Sequence, residues 1–265
     1  MSPSDLVAEA LGTLPDSGPP AQVVDQVTEA FEELGTPHDA EGVARFMPGI
    51  DRTYGLRVMH LRQIGALVVR RYSKDPHLCQ SVALASWARR SREHRLFALF
   101  VLERLDLPHG DLWALGERFL PDCLTWEDVD QLCGATLGRA LCMHPPHMDV
   151  LEEWLDSEHH WTRRAALVTT VYLRRAKLPV PLAEALDRRT LAMCARRLND
   201  RDAYVRKAVD WAVREVLNRR YELTRAWLIE QAEAGPSRAA RTVLKLSAKK
   251  LEPDDQAEFL SLLDA

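Results

Sequence analysis

The chain has 265 residues, 46% of them hydrophobic, and a net charge of −4, which supplies material for a sizeable core and argues against global disorder. No apolar run approaches the roughly 18 residues of a membrane span, and no signal-peptide pattern opens the sequence, so a soluble, cytoplasmic protein is expected. The cysteines Cys79, Cys123, Cys133, Cys142 and Cys194 are odd in number and lack CxxC spacing, which argues against a disulfide framework or a structural zinc site.

Residues 1–20 carry Pro15, Gly18, Pro19 and Pro20 with few apolar anchors and read as a poorly ordered N-terminal extension. A single domain is predicted over 21–265. Its helices, of roughly 10 to 18 residues, are separated by turns at Pro108, Gly110, Pro121, Pro145, Pro146, Pro179, Pro181 and Gly235-Pro236. No alternating strand pattern is present, so the class is all-α. An Ala-centred apolar patch preceded by a basic residue recurs at Arg95-Leu-Phe-Ala98, Arg163-Arg-Ala-Ala166, Arg206-Lys-Ala208 and Arg238-Ala-Ala240. The spacing of the later copies predicts a superhelical array of HEAT-like two-helix repeats, with one helix of each pair lining a concave surface.

Thr125-Trp-Glu-Asp128 has the hydroxyl-then-acid spacing of a helix start, with Thr125 as N-cap. Trp126 and Asp130 then stand one turn apart on the same side, Trp126 at the edge of a stripe through Val129, Cys133, Leu137 and Ala140 and Asp130 farther round. The histidines of His144-Pro-Pro-His147 and of His159-His160 have no companion acids at a ligand spacing, so no metal or other cofactor is expected.

In Trp161-Thr-Arg-Arg-Ala-Ala-Leu-Val168, Arg164 falls on the inward stripe of its helix, where it either pairs with an internal carboxylate or reaches a surface to hold a phosphate. Arg163 points elsewhere and reads as solvated. Between Tyr204 and Val216, the residues Val205, Ala208, Val209, Ala212, Val213 and Val216 form one apolar stripe. Trp211 is off that stripe, beside Lys207 and Arg214, where a core tryptophan does not belong. Residues 161–250 hold 21 Lys and Arg against 9 Asp and Glu, a local balance of +12. A basic surface there would suit phosphates although the whole chain is acidic.

Trp126-Glu-Asp-Val-Asp130, Trp161-Thr-Arg-Arg164 and Val205 to Glu215 resemble, in order and spacing, the AlkD-like group of bacterial DNA glycosylases that remove alkylated purines. Val43 to Met47 and Gly55 to Arg62 resemble the N-terminal segment of that family, so the likeness covers roughly residues 21–250. It implies that Asp130 is the catalytic carboxylate and that Trp126 and Trp211 flank the deoxyribose of the lesion. Arg164, Lys207 and Arg214 would bind the DNA backbone, with Phe46 and Arg57 as further DNA contacts. Phe46 stands where the best-known members have a tyrosine, Arg57 where they have glutamine, and Met59 replaces a proline.

The expectation is a cytoplasmic, nucleoid-associated monomer without a cofactor, acting on alkylated purines in duplex DNA. Two readings stand beside it. One is a non-catalytic HEAT-like protein that binds distorted or branched DNA; the other is a protein-interaction scaffold, in which Trp126, Trp161 and Trp211 merely pack.

Overall fold

The computed structural model describes residues 3–16, 18–47, 49–50 and 52–264. Regular structure among them is entirely helical: α1 (Pro3–Leu11), α2 (Pro20–Leu34), α3 (Pro37–Phe46), α4 (Val58–Arg71), α5 (Pro76–Trp87), α6 (Arg92–Leu102), α7 (His109–Phe119) and α8 (Trp126–Leu132) come first. After them come α9 (Gly138–Met143), α10 (His147–Trp154), α11 (His160–Val171), α12 (Val180–Arg197), α13 (Ala203–Arg219), α14 (Tyr221–Glu233), α15 (Arg238–Ser247) and α16 (Pro253–Asp264). A π-helical turn, Cys133–Leu137, lies between α8 and α9. The all-α expectation is met. No helix is long and apolar enough to cross a membrane among the described residues.

The helices are consistent with the expected helical repeat array, and the chain clusters into two compact units, 1–111 with 122–136 and 112–121 with 137–265. In the first, α6 packs against α4, α5 and α8, and all eleven of its residues are buried. A helix enclosed on every side needs apolar residues all round, and Leu96 to Leu102 supply them; the four polar residues Arg92 to Arg95 at its start therefore need partners.

The predicted N-terminal extension is corrected for the described residues: α1 packs on α2 and α4. Val7, Leu11 and Leu14 are buried, Gln26 donates a hydrogen bond to the Leu11 carbonyl at 2.7 Å, and Tyr72 donates to the Pro15 carbonyl at 2.9 Å. The prolines and glycine of this stretch shape the connection between two helices and do not prevent order.

Two glycines bring backbone against backbone at the start of α3. Gly55 has φ +76°, and a Cβ there would lie 2.5 Å from the Ala40 nitrogen and closer still to the Thr36 carbonyl oxygen. A Cβ on Gly35 would strike the Tyr54 carbonyl. Only glycine permits that approach.

In the second unit, α13 packs against α11, α12, α14 and α15. Two of the recurring arginines, Arg163 and Arg206, and a third outside that pattern, Arg241, each occupy the fourth position of their helix and reach back to the turn before it. Arg163 donates to the Ser157 and Glu158 carbonyls at 2.9 Å, Arg206 to Asp200 at 2.6 Å and Arg241 to Pro236 at 3.2 Å. Arg163 is therefore not solvated as predicted; it is buried and also paired with Asp200. His147 stacks on Trp113, with centroids 4.0 Å apart and planes 3° from parallel, so it contributes to packing.

Candidate nucleic-acid interface

In the first unit the site is built on α8. Thr125 caps it, accepting from the Asp128 N–H, and Asp128 accepts from the Thr125 N–H in return, which closes a capping box. Glu127 and Asp128 are buried and face α6. Arg92 holds Glu127 at two points, 2.6 and 2.9 Å, and Arg95 lies 3.5 Å from Asp128. Burial lifts the Asp128 pKa above its ordinary value, against the opposing charge of Arg95 and the hydrogen bond from the Leu124 N–H. Burial alone would lower the Arg92 pKa; the hydrogen bond to Glu127 and the charges of Glu127 and Glu93 raise it.

With these two acids turned inward, Trp126 and Asp130 emerge together, 40° apart on an ideal helix wheel, and both are half-buried. Asp130 is the carboxylate of α8 that reaches the surface. Next to it, Gln131 accepts a hydrogen bond from Arg62 at 3.1 Å, and that guanidinium lies 4.0 Å over the Phe100 ring. The π turn follows immediately; such turns recur at functional sites.

Phe46 and Arg57 border one shallow cleft of about 440 Å³, with His38, Arg45 and Arg92 also on its walls. Phe46 is 77% exposed. Arg57 sits at the N-cap of α4, largely exposed and 3.8 Å from Asp39.

In the second unit, Trp211 leaves the core stripe as its spacing predicts. Val205, Ala208, Val209, Ala212, Val213 and Val216 are fully buried, whereas Trp211 is half-buried with Nε1 3.4 Å from Glu215. Lys207 is exposed, its Nζ 5.2 Å from the centre of the Tyr204 ring. Arg214 is held by Asp210 on the same helix, at 2.9 Å. Arg164 is buried and donates to the Tyr204 carbonyl at 2.6 Å, which ties α11 to the first turn of α13. Trp161 is a packing residue, 7% exposed and 5.2 Å from Tyr204.

The basic balance over 161–250 is reduced by acids from outside that window. Arg189 pairs with Asp149 and Glu152, Arg196 and Arg197 with Asp156, Arg225 with Asp255 and Glu258, and Lys245 with Asp264. Sequence reading missed these pairs, because each joins residues far apart in the chain. It also missed Arg92 and Glu127, although four successive polar residues opening an apolar helix were a visible signal.

A profile of the family described as DNA alkylation repair enzymes matches residues 27–251. The chain belongs to this family. Membership places the DNA alkylation repair protein in DNA repair, with DNA as its substrate. A solved structure described as a predicted DNA alkylation repair enzyme from Enterococcus faecalis shares the fold: TM-score 0.62, 17% identity, 83% of this chain and 97% of that one covered. No curated protein matches.

Proposed function

We propose that this family member is a monofunctional DNA glycosylase that hydrolyses the N-glycosidic bond of cationic N3- or N7-alkylated purines in duplex DNA. The observation that carries the reading is the division of labour on α8: Glu127 and Asp128 are turned inward towards arginines, and Asp130 comes to the surface beside Trp126. Glycoside hydrolysis ordinarily takes two carboxyl groups. A cationic alkylpurine, however, leaves as a neutral base and needs no general acid, so one carboxylate suffices. Asp130 stabilises the oxocarbenium-like sugar and orients the attacking water. Trp126, one turn from Asp130, presents an indole face to the developing cation, contributing about 1 kcal/mol or more when desolvated; Trp211 is a DNA contact of the second unit.

Lys207 and Arg214 bind phosphates, and Phe46 and Arg57 contact DNA from the first unit; Arg164, expected as a backbone contact, is buried against the Tyr204 carbonyl and acts by supporting the start of α13. The protein works as a cytoplasmic, nucleoid-associated monomer without a cofactor.

The test is to incubate the protein with methylated duplex DNA and measure freed N7-methylguanine and N3-methyladenine. The expected result is release that disappears in Asp130→Asn. No release above background, or equal release by that variant, overturns the assignment. Salt-dependent DNA binding without release identifies a non-catalytic DNA-binding protein. Absence of DNA binding, or binding indifferent to Lys207→Ala and Arg214→Ala, identifies a protein-interaction scaffold.

A further inference from the structure

Arg92 and Glu93, adjacent on the first turn of α6, hold two other parts of the first unit at once. Towards α8, Arg92 grips the Glu127 carboxylate with Nε and Nη2. Towards the segment that leads into α4, its Nη1 donates to the Leu56 carbonyl at 2.9 Å and its backbone N–H to the Arg52 carbonyl at 2.9 Å. Glu93, fully buried, accepts from Thr53 Oγ1 at 2.8 Å, the Tyr54 N–H at 2.9 Å and the Leu56 N–H at 3.3 Å. The next residue after this clasped segment is Arg57. Arg92 also lines the cleft that Phe46 and Arg57 border.

We propose that Arg92 is a positioning residue for Asp130: by holding Glu127 on one side and the Leu56 carbonyl on the other, it makes the placement of Asp130 and Trp126 depend on the segment that carries Arg57. The inference rests on the reading of Asp130 as the working carboxylate. Its physical basis is leverage. Glu127 is three residues before Asp130 in the first turn of α8, whose helical run continues through the π turn into α9, so the N-terminal end that carries Trp126 and Asp130 is the end that the grip on Glu127 aims. A carboxylate about 6 Å from a helix axis moves by about 1 Å when the helix turns by about 10°. Misplacement of that size costs about a hundredfold in rate. The capping box fixes where α8 begins; the two-point grip on Glu127 adds the constraint on its rotation, because a planar fork meets a carboxylate in one plane. Lysine in place of Arg92 cannot form that fork.

The experiment compares full-length wild type, Arg92→Met, Glu127→Leu and the double variant in single-turnover release of N7-methylguanine from methylated duplex DNA. Melting temperature, active fraction and DNA Kd are measured alongside. Each single variant breaks the buried Glu93–Arg92–Glu127 network and loses stability, whereas the double variant removes both charges of the Arg92–Glu127 pair, leaves Glu93 to its Thr53, Tyr54 and Leu56 donors, and regains part of the loss. The expected outcome is a release rate constant down about 10- to 100-fold in all three variants when measured at saturating enzyme, a larger loss than any weakening of DNA Kd that follows from loosening the segment before Arg57. A double variant that regains the rate together with the melting temperature overturns the proposal, since Arg92 would then serve stability alone. Should wild type release no base, the proposed activity fails separately, and amide hydrogen exchange decides the linkage. Faster exchange in both 52–57 and 126–132 of Arg92→Met supports it, and faster exchange in one segment or neither overturns it.

Discussion

Arg163 grips Asp200 with Nε and Nη2 at 2.8 and 2.9 Å, and the two side chains are only 5% and 2% exposed. Burial works to raise the Asp200 pKa, but the hydrogen bonds from Arg163 and the Asp202 N–H, with the charges of Arg163 and Arg197, leave it below the ordinary carboxylate value. Because the folded pKa is the lower one, the pair stabilises the protein above the unfolded carboxylate pKa of about 4 and loses that contribution as pH falls through the folded value. Arg163→Ala is expected to cost about 3 kcal/mol at pH 7. Urea denaturation at pH 7 and pH 3 checks this: the gap between wild type and variant should narrow in acid.

His94 is expected to give a second acid sensitivity at milder pH. It is enclosed between Phe31 and Tyr54, hydrogen-bonded to Thr28 Oγ1 at 2.9 Å and to Ser91 Oγ at 2.7 Å. Burial, joined by the charges of Arg89 and Arg52, pushes its pKa down to about 4. Between about 4 and 6.5 the unfolded chain therefore binds more protons than the folded one, and stability rises with pH. This residue accounts for about 3 kcal/mol of loss on going from pH 7 to pH 4. Melting curves across that range should be visibly flatter for His94→Gln.

Lys207 and Arg214 should not contribute equally to DNA binding. Lys207 is exposed, whereas Arg214 is already held by Asp210, which also accepts from Ser247. Lys207→Ala should lower the slope of log affinity against log salt by about 0.9, and Arg214→Ala should lower it less. Asp210→Asn, which frees the arginine, should strengthen binding. Salt titrations by fluorescence anisotropy on an undamaged duplex measure all three.

Removal of residues 1–16 should destabilise the first unit by about 3 kcal/mol, since it strips the cover from α2 and α4 that Val7, Leu11 and Leu14 provide. Thermal unfolding of the truncated chain is the check; an unchanged transition would mean that these contacts add nothing.

The readable parts of this molecule were those written in local spacing. The start of α8 was legible because an N-cap and its partner are three residues apart, and Trp211 was legible as an outsider because a helix stripe repeats within one element. The order of α1 was not legible, since Val7, Leu11 and Leu14 acquire their meaning only against α2 and α4. Nor was the role of Arg163: its acid is 37 residues away, so helical period gave it a solvated face. Composition over 161–250 overstated the positive charge for a related reason, because the acids that answer it lie in α10, just after it at Asp156, and in α16. On α8 the wheel placed Trp126 and Asp130 together but was silent about what aims them.

The glycine contacts at the start of α3 have a consequence for variation of this chain. Neither Gly35 nor Gly55 has room for a side chain of any kind, so residues 53–56 are placed both by close main-chain contact and by the Arg92 and Glu93 side chains that clasp them. Phe46 and Arg57 stand with most of their surface in solvent, Arg57 making one exposed contact to Asp39. The two positions are thus open to exchange, as interchangeable heads on a single handle, and a library randomised at 46 and 57 is expected to keep a melting temperature close to that of wild type.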